Sequence, residues 1–170
     1  MIIFFDLDGV LLPGKAYYMP GQTWPIPVKF DPCAVGLLNS LALKLDAKLV
    51  LHSNWRNTEA RRVDRDMAPL TDWLTEQGIL EQHLHPLRPQ CPVRRTRWQA
   101  ISDWFSGEEC RYQKEKVVVI DDESCPDDWR FRTRLYRTDF DEGLSYGLYR
   151  KILDDHCCQN SPFLQNTADQ

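Results

Sequence analysis

Short apolar runs, separated by longer stretches with helical periodicity, constrain this chain more than any other feature of its sequence. The clearest runs are residues 2–5, 48–52 and 116–120. A short apolar run without alternation fits a strand that is buried on both faces, as in parallel sheets. Because these strands alternate with helical patterns, we predict an α/β fold with a doubly wound parallel sheet flanked by helices.

Weaker patterns bring the predicted sheet to about five strands. Two further short strands are expected at residues 82–86 and 134–137. Helical patterns separate the strands at residues 31–45, 58–77 (broken near Pro69), 96–105 and 142–154. The expected N-caps are Asp31, which precedes a proline, and Thr96, which has the spacing of a capping box with Gln99.

The length of 170 residues is typical of one domain with a proper core. We place that domain at residues 1–156 and expect the polar residues 157–170 to form a flexible tail. Residues 12–31 are dense in proline, glycine and aromatic residues, which excludes a helix and disfavours a central strand. This segment is either a flap over a site or an aromatic-packed surface loop.

Charge and targeting patterns exclude several classes of protein. The formal net charge of −4 does not support a broad nucleic-acid footprint, although it leaves local basic patches open. The N-terminus runs directly into a strand without a signal-peptide pattern, and no apolar run reaches the roughly 20 residues of a membrane span. The six cysteines form no CxxC pair. We therefore expect a cytoplasmic protein with reduced cysteines and no membrane partner; the sequence does not set its oligomeric state.

The three strongest strand patterns each end in acidic, hydroxyl or amide side chains. These residues are Asp6 and Asp8, Ser53 and Asn54, and Asp121 and Asp122. Ligands of doubly wound sheets bind beyond the carboxyl ends of the strands. A lone Asp-x-Asp is more often a solvated strand end, but three strand ends that carry such groups predict one shared site.

These groups suit the hydrolysis of a phosphate ester. Mg²⁺ prefers oxygen ligands, which Asp6, Asp121 or Asp122, and the backbone carbonyl of Asp8 would supply. The metal offsets the repulsion between carboxylates and substrate oxygens, so that Asp6 can form an acyl-phosphate. Asp8 then protonates the leaving oxygen and later takes a proton from water. The hydroxyl of Ser53 donates to a phosphoryl oxygen.

A fixed cation is also needed to hold the phosphoryl group. Arg94, Arg95 and Arg97 all lie before or within the first turn of the helix that Thr96 caps. Cations at a helix N-terminus are disfavoured by roughly 0.3–1 kcal/mol, so Arg97 is an unusual choice on structural grounds alone. The alternative for each arginine is a solvated basic cluster on a loop.

Residues 5–11, Phe-Asp-Leu-Asp-Gly-Val-Leu, resemble the first motif of the haloacid dehalogenase (HAD) superfamily, DxDG followed by Val or Thr. Ser53 after a buried strand resembles the second motif, and residues 117–122 resemble the fourth. The spacing agrees, with 45 residues from Asp8 to Ser53 and 68 from Ser53 to Asp121. The resemblance covers residues 1–155 and implies a Rossmann-like fold, Mg²⁺ dependence and an aspartyl-phosphate intermediate.

The resemblance also assigns roles. It implies that Asp6 is the nucleophile, Asp8 the acid/base and Ser53 the phosphoryl contact, with Asp121 and Asp122 at the metal. The third motif departs from the family, which usually has Lys. We assign this position to Arg97, since a cation four residues before Ile101 suits the family pattern and Arg binds phosphate with a bidentate fork.

The insert between the first and second motifs is about forty residues long and holds one helix, so no separate cap domain fits. Minimal-cap members have open sites and often act on large substrates, including phosphoproteins and nucleic-acid ends. The turn Ser53-Asn54-Trp55-Arg56 and residues 139–144 are similar to HAD domains associated with RNA repair proteins. The resemblance therefore implies a phosphorylated substrate, small or macromolecular, with a nucleotide or nucleic-acid end among the candidates.

Several interpretations stay open. Trp55 either stacks on a base or belongs to the core, the more common place for a tryptophan after a strand. Arg56 either holds a second phosphate or pairs with a nearby acid. A non-catalytic module of the same fold, which binds phosphate groups or a protein partner, is the alternative to an enzyme. The presence of Asp6 and Asp8 disfavours that alternative, because a decayed member is expected to lose one of them.

Overall fold

The computed structural model describes residues 1–20, 29–56, 70–106 and 116–157. Four strands in this part of the chain form one parallel sheet in the order β2-β1-β3-β4. The strands are β1 (Ile2–Phe5), β2 (Lys48–Leu51), β3 (Val117–Asp121) and β4 (Leu135–Arg137). The predicted α/β fold with a parallel sheet is confirmed, the described residues form four of the about five expected strands, and the lack of a cap stays a prediction.

Helices cover both faces of the sheet. They are α1 (Pro32–Lys44), α2 (Leu70–Glu76), α3 (Arg97–Ser106) and α4 (Tyr146–Cys157). Successive side chains of a strand point to opposite faces, so each strand contributes to two cores. Ile3 and Phe5 pack with residues of α1, α2 and α4, whereas Ile2 and Phe4 pack with residues of α3. This three-layer arrangement is consistent with a Rossmann-like fold.

The N-caps of α1 and α3 form as the sequence indicates. The Asp31 side chain accepts a hydrogen bond from the Cys33 N–H at 2.8 Å, and the Thr96 hydroxyl accepts one from the Gln99 N–H at 3.1 Å. The Gln99 side chain instead donates to Asp103 at 2.7 Å, so one half of the expected capping box forms. The cap at Thr96 places Arg97 at the start of α3.

Helix α4 begins later than the pattern at residues 142–154 predicts. It starts at Tyr146, because Gly143 has a left-handed φ of +71° that a right-handed helix does not accept. The Ser145 hydroxyl then caps the helix by accepting from the Leu148 N–H at 3.3 Å. Leu144, expected inside the helix, is buried just before it.

The strand predicted at residues 82–86 is wrong. A short 3₁₀ helix covers Glu81–His83, and an irregular segment follows along β2. This segment bonds β2 from the His85 N–H, the Pro89 carbonyl and the Cys91 N–H. Prolines at 86, 89 and 92 lack the N–H that a regular ladder requires, which explains the interrupted pairing.

Strand register aligns the ends of the central strands. Phe5 pairs with Leu51 on one side and with Ile120 on the other. The Asp6 N–H donates to the Ile120 carbonyl at 3.0 Å, so Asp6 lies directly beside Asp121. The polar residues that follow β1, β2 and β3 therefore meet at one edge of the sheet.

Other expectations fall partly outside the described residues. Residues 58–69 of one predicted helix, Trp24 of the proline-rich segment and the tail after residue 157 are among them. The part of the segment that is described contains a 3₁₀ helix, Gly14–Tyr18. The domain limits stay a prediction. None of the helices in the described ranges is long and apolar enough to cross a membrane.

Candidate active site

Three carboxylates converge where β1 and β3 end. Asp6, Asp121 and Asp122 each offer an oxygen, and these oxygens all lie within 4.8 Å of one another. Asp6 is 1% exposed and Asp121 is fully buried, so water screens little of their mutual repulsion. A cluster of carboxylate oxygens fits a hard divalent cation such as Mg²⁺.

A glycine turn lets these acids approach one another. Gly9 has φ +65°, and a Cβ added to it would lie 2.5 Å from Cγ of Asp122. The turn is held by the Thr138 hydroxyl, which donates to the Gly9 carbonyl at 2.6 Å, and by the Leu7 N–H, which donates to Asp6 at 2.8 Å. The glycine of the DxDG motif is thus required both by backbone conformation and by the space that Asp122 takes.

Gly9→Ala is expected to weaken binding of Mg²⁺ by roughly tenfold or more, because the new methyl group displaces a carboxylate ligand. The left-handed backbone adds about 1–2 kcal/mol of strain. Calorimetric titration with MgCl₂ measures the first effect and urea unfolding the second. Gly36→Ala is the matched control: it lies in α1 with no heavy atom within 4 Å of the added Cβ. It should leave Mg²⁺ binding unchanged, and equal Mg²⁺ affinities in the two variants would contradict the prediction.

Arg97 sits against the acids. Its Nη1 donates to Asp6 Oδ2 and, at 3.0 Å, to both carboxylate oxygens of Asp121, while its Nη2 donates to Glu123 at 3.1 Å. Burial favours a lower pKa for Arg97, but the charges of Asp6 and Asp121 outweigh it, and the pKa is raised. The Arg97 side chain is 10% exposed, whereas Arg94 pairs with Asp103 at the surface. Of the three arginines considered, the structure brings Arg97 to the cluster.

The protonation of Asp121 responds to this crowding. Burial, followed by the charge of Asp6, raises the pKa of Asp121 to about 7 despite the opposing effect of Arg97. His52, also fully buried, places Nε2 3.5 Å from Asp121 Oδ2. One guanidinium therefore does not fully compensate the charge of these acids near neutral pH.

Asp8 lies beside the cluster and outside its three-residue core. Its Oδ2 accepts a hydrogen bond from Nε1 of Trp55 at 2.8 Å. Burial raises the pKa of Asp8; the hydrogen bond from Trp55 opposes the rise, and the charges of Asp6 and Asp122 add to it. A carboxyl group with a raised pKa suits a general acid.

Residues after β2 take different positions. Ser53 is fully buried at the end of the strand, and its hydroxyl accepts from the Trp55 N–H at 3.3 Å. Asn54 is exposed at the start of a 3₁₀ helix, Asn54–Arg56. The side chain of Arg56 lies outside the described part of the structure. The substrate contacts assigned to Ser53, Asn54, Arg56 and Arg97 stay predictions.

Sequence reasoning missed several contacts of this site. The bond from Trp55 to Asp8, the pairing of Glu123 with Arg97 and the approach of His52 to Asp121 had no signal of their own in the sequence. Tyr17 had a partial signal, as an aromatic residue of the segment considered as a flap. Burial, the charge of Asp8 and a hydrogen bond with it raise the pKa of Tyr17, so the described part of that segment reaches the site.

Comparison with known proteins agrees with this architecture. A family model described as "HAD domain in Swiss Army Knife RNA repair proteins" matches residues 2–146. The match spans all four strands and includes every residue of the acidic cluster. The chain matches no curated protein and no solved structure.

Proposed function

Since the chain belongs to the family of HAD domains found in Swiss Army Knife RNA repair proteins, we propose that it is a Mg²⁺-dependent phosphatase. It hydrolyses a phosphomonoester through an aspartyl-phosphate on Asp6, with Asp8 as general acid and base. The family generally suggests phosphatase-type chemistry, and the acidic cluster supports a metal. The assignments of Asp6 as nucleophile and Asp8 as acid and base rest on the positions of these residues in this chain.

One observation carries the proposal: three carboxylates, two of them buried, converge within 4.8 Å, and the guanidinium of Arg97 bonds two of them, Asp6 and Asp121. Keeping these carboxylates ionised and close together costs folding free energy unless a further positive charge binds to them. Oxygen donors of this kind fit Mg²⁺, with Asp6, Asp121 and Asp122 as side-chain ligands and the Asp8 carbonyl as a further oxygen. When bound, the metal would offset the negative charge of the phosphoryl group and polarise it.

The chain's own residues then perform the chemistry. Asp6 attacks phosphorus with one carboxylate oxygen, and the bond from phosphorus to the leaving oxygen breaks. Asp8 donates its proton to that leaving oxygen. In the second step Asp8 removes a proton from water, and the water oxygen attacks phosphorus. The bond from phosphorus to the Asp6 oxygen breaks, which releases phosphate and restores Asp6 as a free carboxylate. The guanidinium fork of Arg97 and the hydroxyl of Ser53 donate hydrogen bonds to the phosphoryl oxygens.

The substrate we propose is a nucleotide or a phosphorylated nucleic-acid end. The support is the family description, which names RNA repair proteins. A net charge of −4 adds no general attraction for nucleic acid, so recognition would rely on the phosphate site and its immediate surroundings. A screen of nucleotides, oligonucleotides with 5′- or 3′-phosphates and phosphopeptides separates these substrate classes.

The test of the function is phosphate release from an aryl phosphate with Mg²⁺ and after chelation with EDTA. We expect turnover that depends on the metal. Binding of Mg²⁺ and phosphate without turnover of any phosphomonoester would instead favour the non-catalytic module. Turnover that persists in EDTA would contradict the metal dependence.

Affinity for Mg²⁺ should rise with pH. The metal-free pKa of Asp121 is raised to about 7, so below that pH a proton must leave before the carboxylate can bind metal. The apparent dissociation constant should fall about tenfold per unit from about pH 5 to about pH 7 and level off above. Calorimetric titrations across this range measure it. Asp121→Asn should bind more weakly and lose most of the slope; an unchanged slope would contradict the assignment.

A further inference from the structure

We propose that Trp55 is a positioning residue that holds the carboxyl group of Asp8 in one orientation and leaves its Oδ1 as the oxygen that delivers the proton. This inference rests on the proposed function. It concerns the residue whose role the sequence left open between base stacking and core packing. The geometry favours a third role, in which the indole acts through Asp8.

The contact is direct and well formed. Nε1 of Trp55 lies 2.8 Å from Oδ2 of Asp8, a normal distance for an N–H···O hydrogen bond. Trp55 follows β2 in the 3₁₀ helix Asn54–Arg56, and its own N–H is bonded to the Ser53 hydroxyl at 3.3 Å. The backbone that carries the indole is thus anchored to the residue at the end of the strand.

The chemistry of the indole decides which oxygen carries the proton. An indole N–H only donates hydrogen bonds, so the oxygen that faces it must act as acceptor. A proton on Oδ2 that pointed towards Trp55 would clash with the indole hydrogen, because Nε1 and Oδ2 are only 2.8 Å apart. The acid form of Asp8 therefore carries its proton on Oδ1, away from Trp55. A carboxyl group that turned freely would present the proton on either oxygen.

Packing fixes the indole itself. The ring of Trp55 stacks on that of Trp73 with centroids 5.6 Å apart and planes inclined by 17°. Trp73 lies in α2, is 5% exposed and packs edge-on against Phe30 at 5.1 Å. One face of the Trp55 ring is therefore covered by protein, which suits a rigid hydrogen-bond donor better than a platform for a base.

Tyr17 is compatible with this role. Tyr17 also bonds Asp8, and its hydroxyl can donate or accept, so it adapts to either state of the carboxyl group. Trp55 differs from Tyr17 because its N–H can only donate. It therefore stabilises only the orientation of Asp8 in which an oxygen without a proton faces the indole.

The experiment compares leaving groups. Departure of an alkoxide or a nucleoside oxygen needs the proton of Asp8, whereas dinitrophenolate leaves without one. We expect Trp55→Phe, which removes the N–H and keeps an aromatic ring, to lower the rate constant for phosphorylation of Asp6 by an alkyl phosphate roughly 10- to 100-fold. The same variant should change this rate constant for 2,4-dinitrophenyl phosphate less than about threefold, with substrate affinity nearly constant for both. Single-turnover measurements isolate this first step from the later attack of water, which needs Asp8 for either substrate.

Trp73→Phe is the matched control. It makes the same substitution in the stacked partner, whose Nε1 has no hydrogen-bond partner among the described residues. Its ratio of the phosphorylation rate constants for the two substrates should equal that of the wild type. An equal loss for both leaving groups in Trp55→Phe, or a change confined to substrate affinity, would overturn the inference and leave the proposed function standing. A wild-type protein that hydrolyses neither ester would overturn both.

Discussion

Asp6→Asn should lower phosphatase turnover at least about a thousandfold, since it removes the nucleophile while conserving shape. The protein should still fold, because Arg97 keeps its contacts to Asp121 and Glu123 and the repulsion between Asp6 and Asp121 disappears. Steady-state phosphate release measures the loss. Acid-quenched mass spectrometry should detect a phosphorylated chain in the wild type and none in the variant.

Asp154→Asn is the control for this substitution. Asp154 lies in α4 with 63% of its side chain exposed and forms a long surface contact with Arg150. The variant should keep full activity, since it removes one surface charge outside the acidic cluster. Turnover that survives in Asp6→Asn at the wild-type rate would refute the aspartyl-phosphate mechanism.

Arg97→Ala should cost about 3–5 kcal/mol of unfolding free energy without metal, because it leaves buried carboxylates unpaired. The cost should be larger at pH 8 than at pH 5. The pKa of Asp121 is already raised above its ordinary value, and loss of Arg97 raises it further. A folded-state acid with a raised pKa loses stability as pH rises through that pKa, so protonation at low pH relieves the variant. Urea unfolding at the two pH values measures the difference.

Mg²⁺ should recover part of the stability of Arg97→Ala, because the cation replaces some of the missing positive charge. Activity should stay roughly 10²-fold or more below the wild type, since the phosphoryl group loses its fixed fork. The control is Arg94→Ala, which removes a surface pair with Asp103 and should change stability by about 1 kcal/mol or less. Equal effects of the two variants would show that the buried contacts of Arg97 carry no special weight.

Local patterns predicted the parts of this fold that depend on burial and caps. The apolar runs at residues 2–5 and 116–120 correspond to the strands at 2–5 and 117–121, and the caps at Asp31 and Thr96 placed two helices correctly. The same reasoning failed at residues 82–86, where proline removes ladder donors, and at the start of α4, where Gly143 turns the chain. In both places a backbone requirement overrode a side-chain pattern.

The residues of the candidate site also separate into those that local patterns predict and those whose contacts depend on tertiary packing. The sequence by itself determined the acids at the strand ends, because parallel strands must deliver their carboxyl ends to one edge of the sheet. It also singled out Arg97 and, through the family resemblance confirmed by the match over residues 2–146, the class of domain. Only the tertiary structure decided that Trp55 bonds Asp8 and that Arg97 reaches both Asp6 and Asp121. These contacts join residues 24 to 91 positions apart, and no local pattern encodes which distant donor a buried carboxylate will face.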